Sequence, residues 1–173
     1  MNILRCRVCG EVYLGRGKPD NCPFCGANVN YLSDPEDWKP LYEVEELSNT
    51  DKELVNQAIE LELGNAAFYA CAKDKTTDPD IQAVFKALSK IESEHADVDA
   101  KFLKEDVPEK PEVECSGERE ADLKEASSRE QEAIKHYTEF KDKAENPNLK
   151  TFFIELIKIE QDHLNLHKKL LSK

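Results

Sequence analysis

The sequence predicts a mainly α protein: a four-helix bundle with one long crossover, preceded by a small zinc-ribbon-like β module that holds a metal on four cysteines. Three observations carry that expectation. Two Cys-x-x-Cys pairs are confined to the first 26 residues, long stretches of helical apolar period follow residue 50, and one half of those stretches repeats the other. A chain of 173 residues gives room for one ordinary domain plus a small appendage. With 39% apolar and 35% charged residues and a mean hydropathy of −0.68, it can build a core and remain in water. No stretch approaches the roughly 18 apolar residues of a membrane helix, and Met1-Asn2-Ile3-Leu4-Arg5-Cys6 has no secretory apolar region. A cytoplasmic location without membrane attachment is expected.

In the first 40 residues, Cys6-x-x-Cys9-Gly10 and Cys22-Pro23-x-Cys25-Gly26 are separated by twelve residues. Each turn presents two sulfurs to one tetrahedral metal, and the glycines let the backbone turn tightly beneath them. Thiolate softness admits iron or zinc. Cys71 and Cys115 lack such a partner and read as ordinary thiols, because cytosolic disulfides are uncommon. The stretch Asn30 to Pro40, with two prolines and several turn formers, is the expected boundary between a module of residues 1–40 and a bundle of residues 41–173.

The four helices follow from caps and stripes. Thr50-x-x-Glu53 is a candidate capping box for a first helix reaching about Lys75. Asp78-Pro79 starts a second that runs to about Glu105, and Asn146-Pro147 repeats that device for the fourth. The third lies between Ser116-Gly117 and about Ala144. The links at 76–78 and 145–146 are short, which makes neighbours antiparallel. The polar stretch Asp106 to Ser116, with Pro108 and Pro111, is long enough when extended to recross the bundle.

Sliding residues 62–95 forward by 68 positions onto 130–163 gives identity at twelve of 34 sites. The body is therefore a duplicated helical hairpin, 50–105 and 117–172. A repeat that occurs only twice favours a closed bundle of pseudo-twofold symmetry over an open array. The matched residues include Glu62/Glu130, Tyr69/Tyr137, Glu92/Glu160 and His95/His163. Ile81, Val84, Phe85, Leu88, Ile91 and Phe102 share a stripe with Glu92 and His95. Leu149, Phe152, Phe153, Leu156, Ile159, Leu166 and Leu170 share one with Glu160 and His163. Each tyrosine sits seven residues after its glutamate, on the same face.

Four glutamates and two histidines thus point to the bundle axis. Burying four carboxylates together without cations is prohibitive, and two divalent metals cancel their charge. One Glu from each of two helices with Glu-x-x-His from the other two is the ligand set of di-iron and di-manganese bundles. The net charge of −12 falls entirely on residues 41–173, since the first 40 residues hold equal numbers of each sign. Such a body repels phosphate backbones, so nucleic acid is excluded as a partner.

The chain, with CRVCGEVYLGRGKPDNCPFCG at its start and Glu62, Tyr69, Glu92-x-x-His95, Glu130 and Glu160-x-x-His163 beyond, resembles the rubrerythrin family in its reverse arrangement. In that arrangement a rubredoxin-like domain precedes a ferritin-like di-iron bundle. The resemblance implies reduction of hydrogen peroxide, and often of oxygen, in oxidative stress protection. It implies an FeS4 centre or zinc on Cys6, Cys9, Cys22 and Cys25, and two irons in the bundle, where manganese or zinc also fit. Glu62 and Glu130 would be terminal ligands, Glu92 and Glu160 bridging ligands, and His95 and His163 one ligand to each iron. Tyr69 and Tyr137 would hydrogen bond to the ligands.

Electrons would come from an external NAD(P)H-dependent donor such as a rubredoxin reductase, and a homodimer, head to tail, would bring the two centres close. One departure stands out. Ala133 occupies the place of a further glutamate of the family, its repeat mate is Asn65, and Glu132 points about 100° away. The alternative is a metal-binding or ferroxidase-type bundle with a structural zinc knuckle and no peroxidase turnover. A storage cage is disfavoured, because the N-terminal module would obstruct shell packing. His136 is expected at the surface, and His167, one turn after His163, beside the site.

Overall fold

The computed structural model describes residues 1–172. At the N-terminus β1 (Asn2–Cys6) pairs antiparallel with β2 (Val12–Gly15) and with β3 (Leu32–Ser33), in the order β2-β1-β3. The alternating chain Ile3, Arg5 faces Leu14, Val12 across the hairpin. The hairpin turn is the first knuckle: Gly10 N–H donates to the Cys6 carbonyl at 2.9 Å with Gly10 at φ +90°. The second knuckle repeats this, with Gly26 N–H on the Cys22 carbonyl at 2.9 Å and φ +79°. Both conformations are ones a side chain would strain.

The proline-containing segment after β3 folds back over the first knuckle. Trp38 Nε1 donates to the Cys6 carbonyl at 2.8 Å, Leu41 N–H donates to the Arg7 carbonyl at 2.8 Å, and the Arg5 guanidinium lies 3.4 Å over the Trp38 ring. What reads as a polar boundary in sequence is thus packed against the metal module.

The described helices are α1 (Asn49–Lys75), α2 (Pro79–Leu103), α3 (Arg119–Lys143) and α4 (Pro147–Leu171). Their ends lie within two residues of those expected, but the first cap differs. Ser48, not Thr50, caps α1, its hydroxyl accepting from Asp51 N–H at 3.1 Å. The Asp51 carboxylate turns away to accept from Glu145 N–H at 2.8 Å and Asn146 N–H at 3.1 Å, so a tertiary bond replaces the local box. Asp78 and Asn146 cap α2 and α4 as expected, each followed by proline at the first helical position.

Links Thr76–Asp78 and Ala144–Asn146 make two antiparallel hairpins. The α2–α3 connection returns along α2: Lys110 Nζ donates to Ser93 Oγ at 2.7 Å, and Lys75 Nζ, at the end of α1, donates to the Cys115 carbonyl at 2.8 Å. This is the single long crossover of a ferritin-like bundle. Aromatic pairs such as Phe102–Phe152, with centroids 5.4 Å apart, fill the core toward the N-terminal module. Phe68, Tyr69, Phe85 and Leu123 fill the other end. Among the described residues no helix is long and apolar enough to cross a membrane.

One expectation is overturned here. Cys71 and Cys115 are not separate thiols but a disulfide, with Cα atoms 5.9 Å apart. The returning crossover lays Cys115 beside the last turns of α1, a proximity set by the tertiary path rather than by local spacing. A cross-link spanning 44 residues restricts the unfolded chain by up to about 4 kcal/mol in the loop-entropy account. Cys115→Ser should therefore lower the denaturation free energy by up to about 4 kcal/mol, measured by urea unfolding. No difference between reduced and oxidised chain would contradict this.

Candidate metal centres

The four knuckle sulfurs form the first site. Sγ of Cys6 lies 3.8 Å from that of Cys25, and Sγ of Cys9 lies 3.8 Å from that of Cys22. In a tetrahedron with metal–sulfur bonds of about 2.3 Å the sulfurs stand about 3.8 Å apart. The arrangement therefore has the dimensions of a bound thiolate tetrahedron. All four residues are buried. Left to one another they cannot all ionise: bonds from neighbouring thiols, that of Cys25 foremost, pull Cys22 down, whereas Cys22 pushes Cys9 and Cys25 up. A cation among them removes that conflict.

The second site lies on the bundle axis, one ligand-bearing stretch per helix. Glu62 comes from α1, Glu92 and His95 from α2, Glu130 from α3, and Glu160 and His163 from α4. Their ligand atoms gather into two sets, Glu62–Glu92–His95–Glu160 and Glu92–Glu130–Glu160–His163, which share Glu92 and Glu160. His95 Nδ1 is 3.4 Å from Glu62 and 3.3 Å from Glu92; His163 Nδ1 is 2.9 Å from Glu160 and 3.1 Å from Glu92. Glu62 Oε2, both oxygens of Glu92, Glu130 Oε2, Glu160 Oε1 and His95 Nδ1 are buried without a hydrogen-bond partner. Buried acceptors gathered this way require positive charge in place of donors.

The ionisation of these groups is correspondingly displaced. Burial pushes Glu62 up to about 8 and Glu160 well above the carboxylate range. Burial alone would raise Glu92, but His163 and His95 facing it hold it below that range. Burial opposes charge on His95 and His163, yet the glutamates around each raise both well above the ordinary histidine value.

A pH dependence follows. Raised carboxylates and raised histidines both hold protons that the unfolded chain has lost, so the metal-free chain loses stability as pH rises from about 4.5 to about 8, the span of the Glu62 shift. Metal requires the deprotonated carboxylates and neutral imidazoles, so added metal stabilises most at the upper end of that window. Melting curves at pH 5 and pH 8 with and without divalent metal should diverge as pH rises; parallel curves would contradict this.

Around the ligands stands a layer of hydrogen bonds. Tyr69 donates to Glu130 and Tyr137 donates to Glu62, each tyrosine serving the glutamate of the other hairpin. His167 Nε2 lies 2.8 Å from the Tyr69 hydroxyl. His95 Nε2 lies 2.8 Å from the Cys25 carbonyl, an acceptor, so Nε2 carries a proton, and Nδ1 is the nitrogen that faces the bundle site and would ligate once its own proton is lost.

The two sites are thus joined within one chain, and a head-to-tail pair of chains is not required to bring them together. Glu155 Oε1 accepts from Asn28 N–H at 2.6 Å, Lys101 Nζ donates to the Cys9 carbonyl at 3.0 Å, and Gly26 sits where a Cβ would come within 3.1 Å of Ile159. Those contacts hold the first knuckle on α2 and the second on α4.

Ala133 is buried, Asn65 is buried, and Glu132 is exposed, 3.9 Å from His136 at the half-exposed surface of α3. Two participants escape the sequence reading. Glu155 docks the module, and Asp99 is fully buried one turn beyond His95 with neither oxygen hydrogen bonded. Asp99 was discoverable as a charged residue on the buried stripe of α2; Glu155 carried no such signal.

A thiolate tetrahedron seated on a carboxylate–histidine bundle defines a two-centre metalloprotein: the four cysteines fit an FeS4 site and the bundle cluster fits a di-iron centre. The rubrerythrin family profile matches residues 53–171, and the rubredoxin-like domain of rubrerythrin matches residues 5–32. The chain belongs to the rubrerythrin family. It is similar to reverse rubrerythrin-1 of Clostridium acetobutylicum, 30% identical over 115 residues that span 61% of this chain and 64% of that protein. The likeness thus covers less than two thirds of the relative's length. The comparison with solved structures yields no match.

Proposed function

We propose that the chain is a cytoplasmic non-haem di-iron peroxidase. It reduces hydrogen peroxide, and also oxygen, to water with electrons relayed through the FeS4 centre, in protection against oxidative stress. The observation that carries this reading is the hydrogen bond from His95 Nε2 to the Cys25 carbonyl, which ties a bundle ligand to a knuckle ligand across a single contact. An external NAD(P)H-dependent reductase of the rubredoxin-reductase kind supplies the electrons, and a homodimer remains compatible with it. Membership of the family and the likeness to a reverse rubrerythrin support the same reading.

In this reading Glu92 and Glu160, common to both ligand sets, would serve both metals, and Glu62 with His95, and Glu130 with His163, would each complete one set. When bound, the iron pair supplies the two electrons that, with two protons, convert peroxide to two waters. The chain's own groups prepare that step. Burial keeps the phenols of Tyr69 and Tyr137 protonated, so each remains a donor that orients a glutamate. His163, at 7% exposed, is the least covered of the six residues, which supports an approach for a small substrate from the Glu130 side. The apolar belt of Phe85, Leu88, Phe153 and Leu156 keeps bulk water away.

Ala133 supports a second reading, a metal-binding or ferroxidase-type bundle with a zinc knuckle, because a further carboxylate is absent from that helix face. An anaerobic metal count combined with NAD(P)H consumption through added reductase separates the two. Iron in the knuckle and peroxide-dependent oxidation of NAD(P)H are expected. A zinc knuckle with iron oxidation alone would overturn the peroxidase.

A further inference from the structure

Besides Asn65 matched with Ala133, the two halves of the bundle site differ one turn beyond the ligand histidines. Under the 68-residue shift the six ligands and both tyrosines are matched, but Asp99 falls on His167. Each lies one turn beyond a ligand histidine, and each is fully buried. On one side His167 Nε2 meets the Tyr69 hydroxyl at 2.8 Å, the rings stack with centroids 5.8 Å apart, and Tyr69 donates its proton to Glu130; Nε2 lies 3.4 Å from Glu130 Oε1 itself, longer than a normal hydrogen bond, so the phenol is the shorter link. On the other side Tyr137 donates to Glu62, and neither oxygen of Asp99 has a hydrogen-bond partner.

The direction of the first chain follows from counting protons. The phenol has one hydrogen and spends it on Glu130, so it accepts from His167, whose Nε2 must carry the proton. His167 Nδ1 has no hydrogen-bond partner, so the hydrogen bond that the ring makes is the one from Nε2 to Tyr69. The hydroxyl rotor of Tyr69 is thereby fixed from both ends, and donor chains of this kind strengthen each bond along them. Tyr137 receives no such bond from Asp99.

We propose that His167 is a positioning residue which, acting through Tyr69, holds Glu130 in its ligating pose, so that the two metal positions are unequal and the Glu130–His163 position binds more tightly. This rests on the bundle as a metal site and not on peroxide turnover. Partners one layer beyond metal ligands typically change affinity by about 10–100-fold when removed.

The test is a cobalt(II) titration of the full-length chain, with the four-cysteine site loaded beforehand and the bundle cleared by chelator, followed by visible absorption and calorimetry. Two unequal steps are expected, the tighter one assigned by its loss in His163→Ala. His167→Ala should weaken that step by about 10–100-fold and move the other by less than about twofold. Tyr69→Phe should do the same, and the double variant should be no weaker than either single one, because both break one chain. His167→Gln, which can return an amide N–H toward the phenol, should recover most of the loss. Tyr69→Phe carries the expectation independently of how His167→Ala folds. Equal steps in the parent chain, equal weakening of both steps, or additive effects in the double variant would overturn the proposal. Failure of peroxide turnover would leave it standing.

Discussion

Glu160→Gln should empty both bundle positions at once and leave the knuckle metal bound. Glu160 contributes to both ligand sets, as Glu92 does, so one substitution removes the charge that spans the pair. An amide nitrogen cannot accept a metal bond, and three remaining carboxylates no longer balance two divalent cations. Metal content should fall from about three to about one per chain, read by elemental analysis after anaerobic loading. In the parent chain, metal at about a thousand times its dissociation constant adds about 4 kcal/mol per position, an increase in melting temperature on the order of 15–30 °C for two. In Glu160→Gln that increase should vanish. Glu62→Gln, which touches one set only, should retain the other metal and part of the increase. Full metal content in Glu160→Gln would show that the shared carboxylates are not shared ligands.

Cys22→Ser should abolish reductase-driven turnover while leaving the bundle metals in place. Removing one thiolate breaks the tetrahedron on which the proposed relay depends, and the sulfur contact of Cys22 is to Cys9 of the same cluster. Direct reoxidation of the chemically reduced bundle by peroxide should persist, and the NAD(P)H-coupled rate should drop to background. Gly26→Ala is the milder companion. Its added Cβ meets Ile159 at 3.1 Å, and its positive φ resists a side chain. Lifting the knuckle off α4 in this way should slow electron arrival with all metals retained. Unchanged coupled turnover in Cys22→Ser would remove the four-cysteine site from the electron path.

The residues that gather in the two clusters were legible in the sequence because metal chemistry imposes spacing. Cys-x-x-Cys is what a knuckle requires, Glu-x-x-His places two ligands one helical turn apart, and the repeat supplied the second set once the first was seen. The crossover was legible from its length and prolines. What escaped depended on tertiary proximity. The Cys71–Cys115 bond exists because the crossover returns to α1, and no local pattern announces that. Ser48 rather than Thr50 caps α1, and the neighbouring Asp51 carboxylate serves the α3–α4 link, which no local pattern shows. The bond from His95 to Cys25 spans seventy residues and uses a backbone acceptor, which leaves no mark on composition. Asp99 is the exception: it lies on the apolar stripe of α2 between His95 and Phe102, where a charge was itself the signal.

The most direct test of the coupled-centre account is a stopped-flow experiment on the iron-loaded full chain, reduced anaerobically and mixed with one equivalent of peroxide. The red colour of the oxidised FeS4 centre should return rapidly, with a rate that does not change as the protein is diluted, since His95 and Cys25 meet within one chain. Colour that stays bleached after peroxide is consumed, or that returns at a rate proportional to protein concentration, would contradict it.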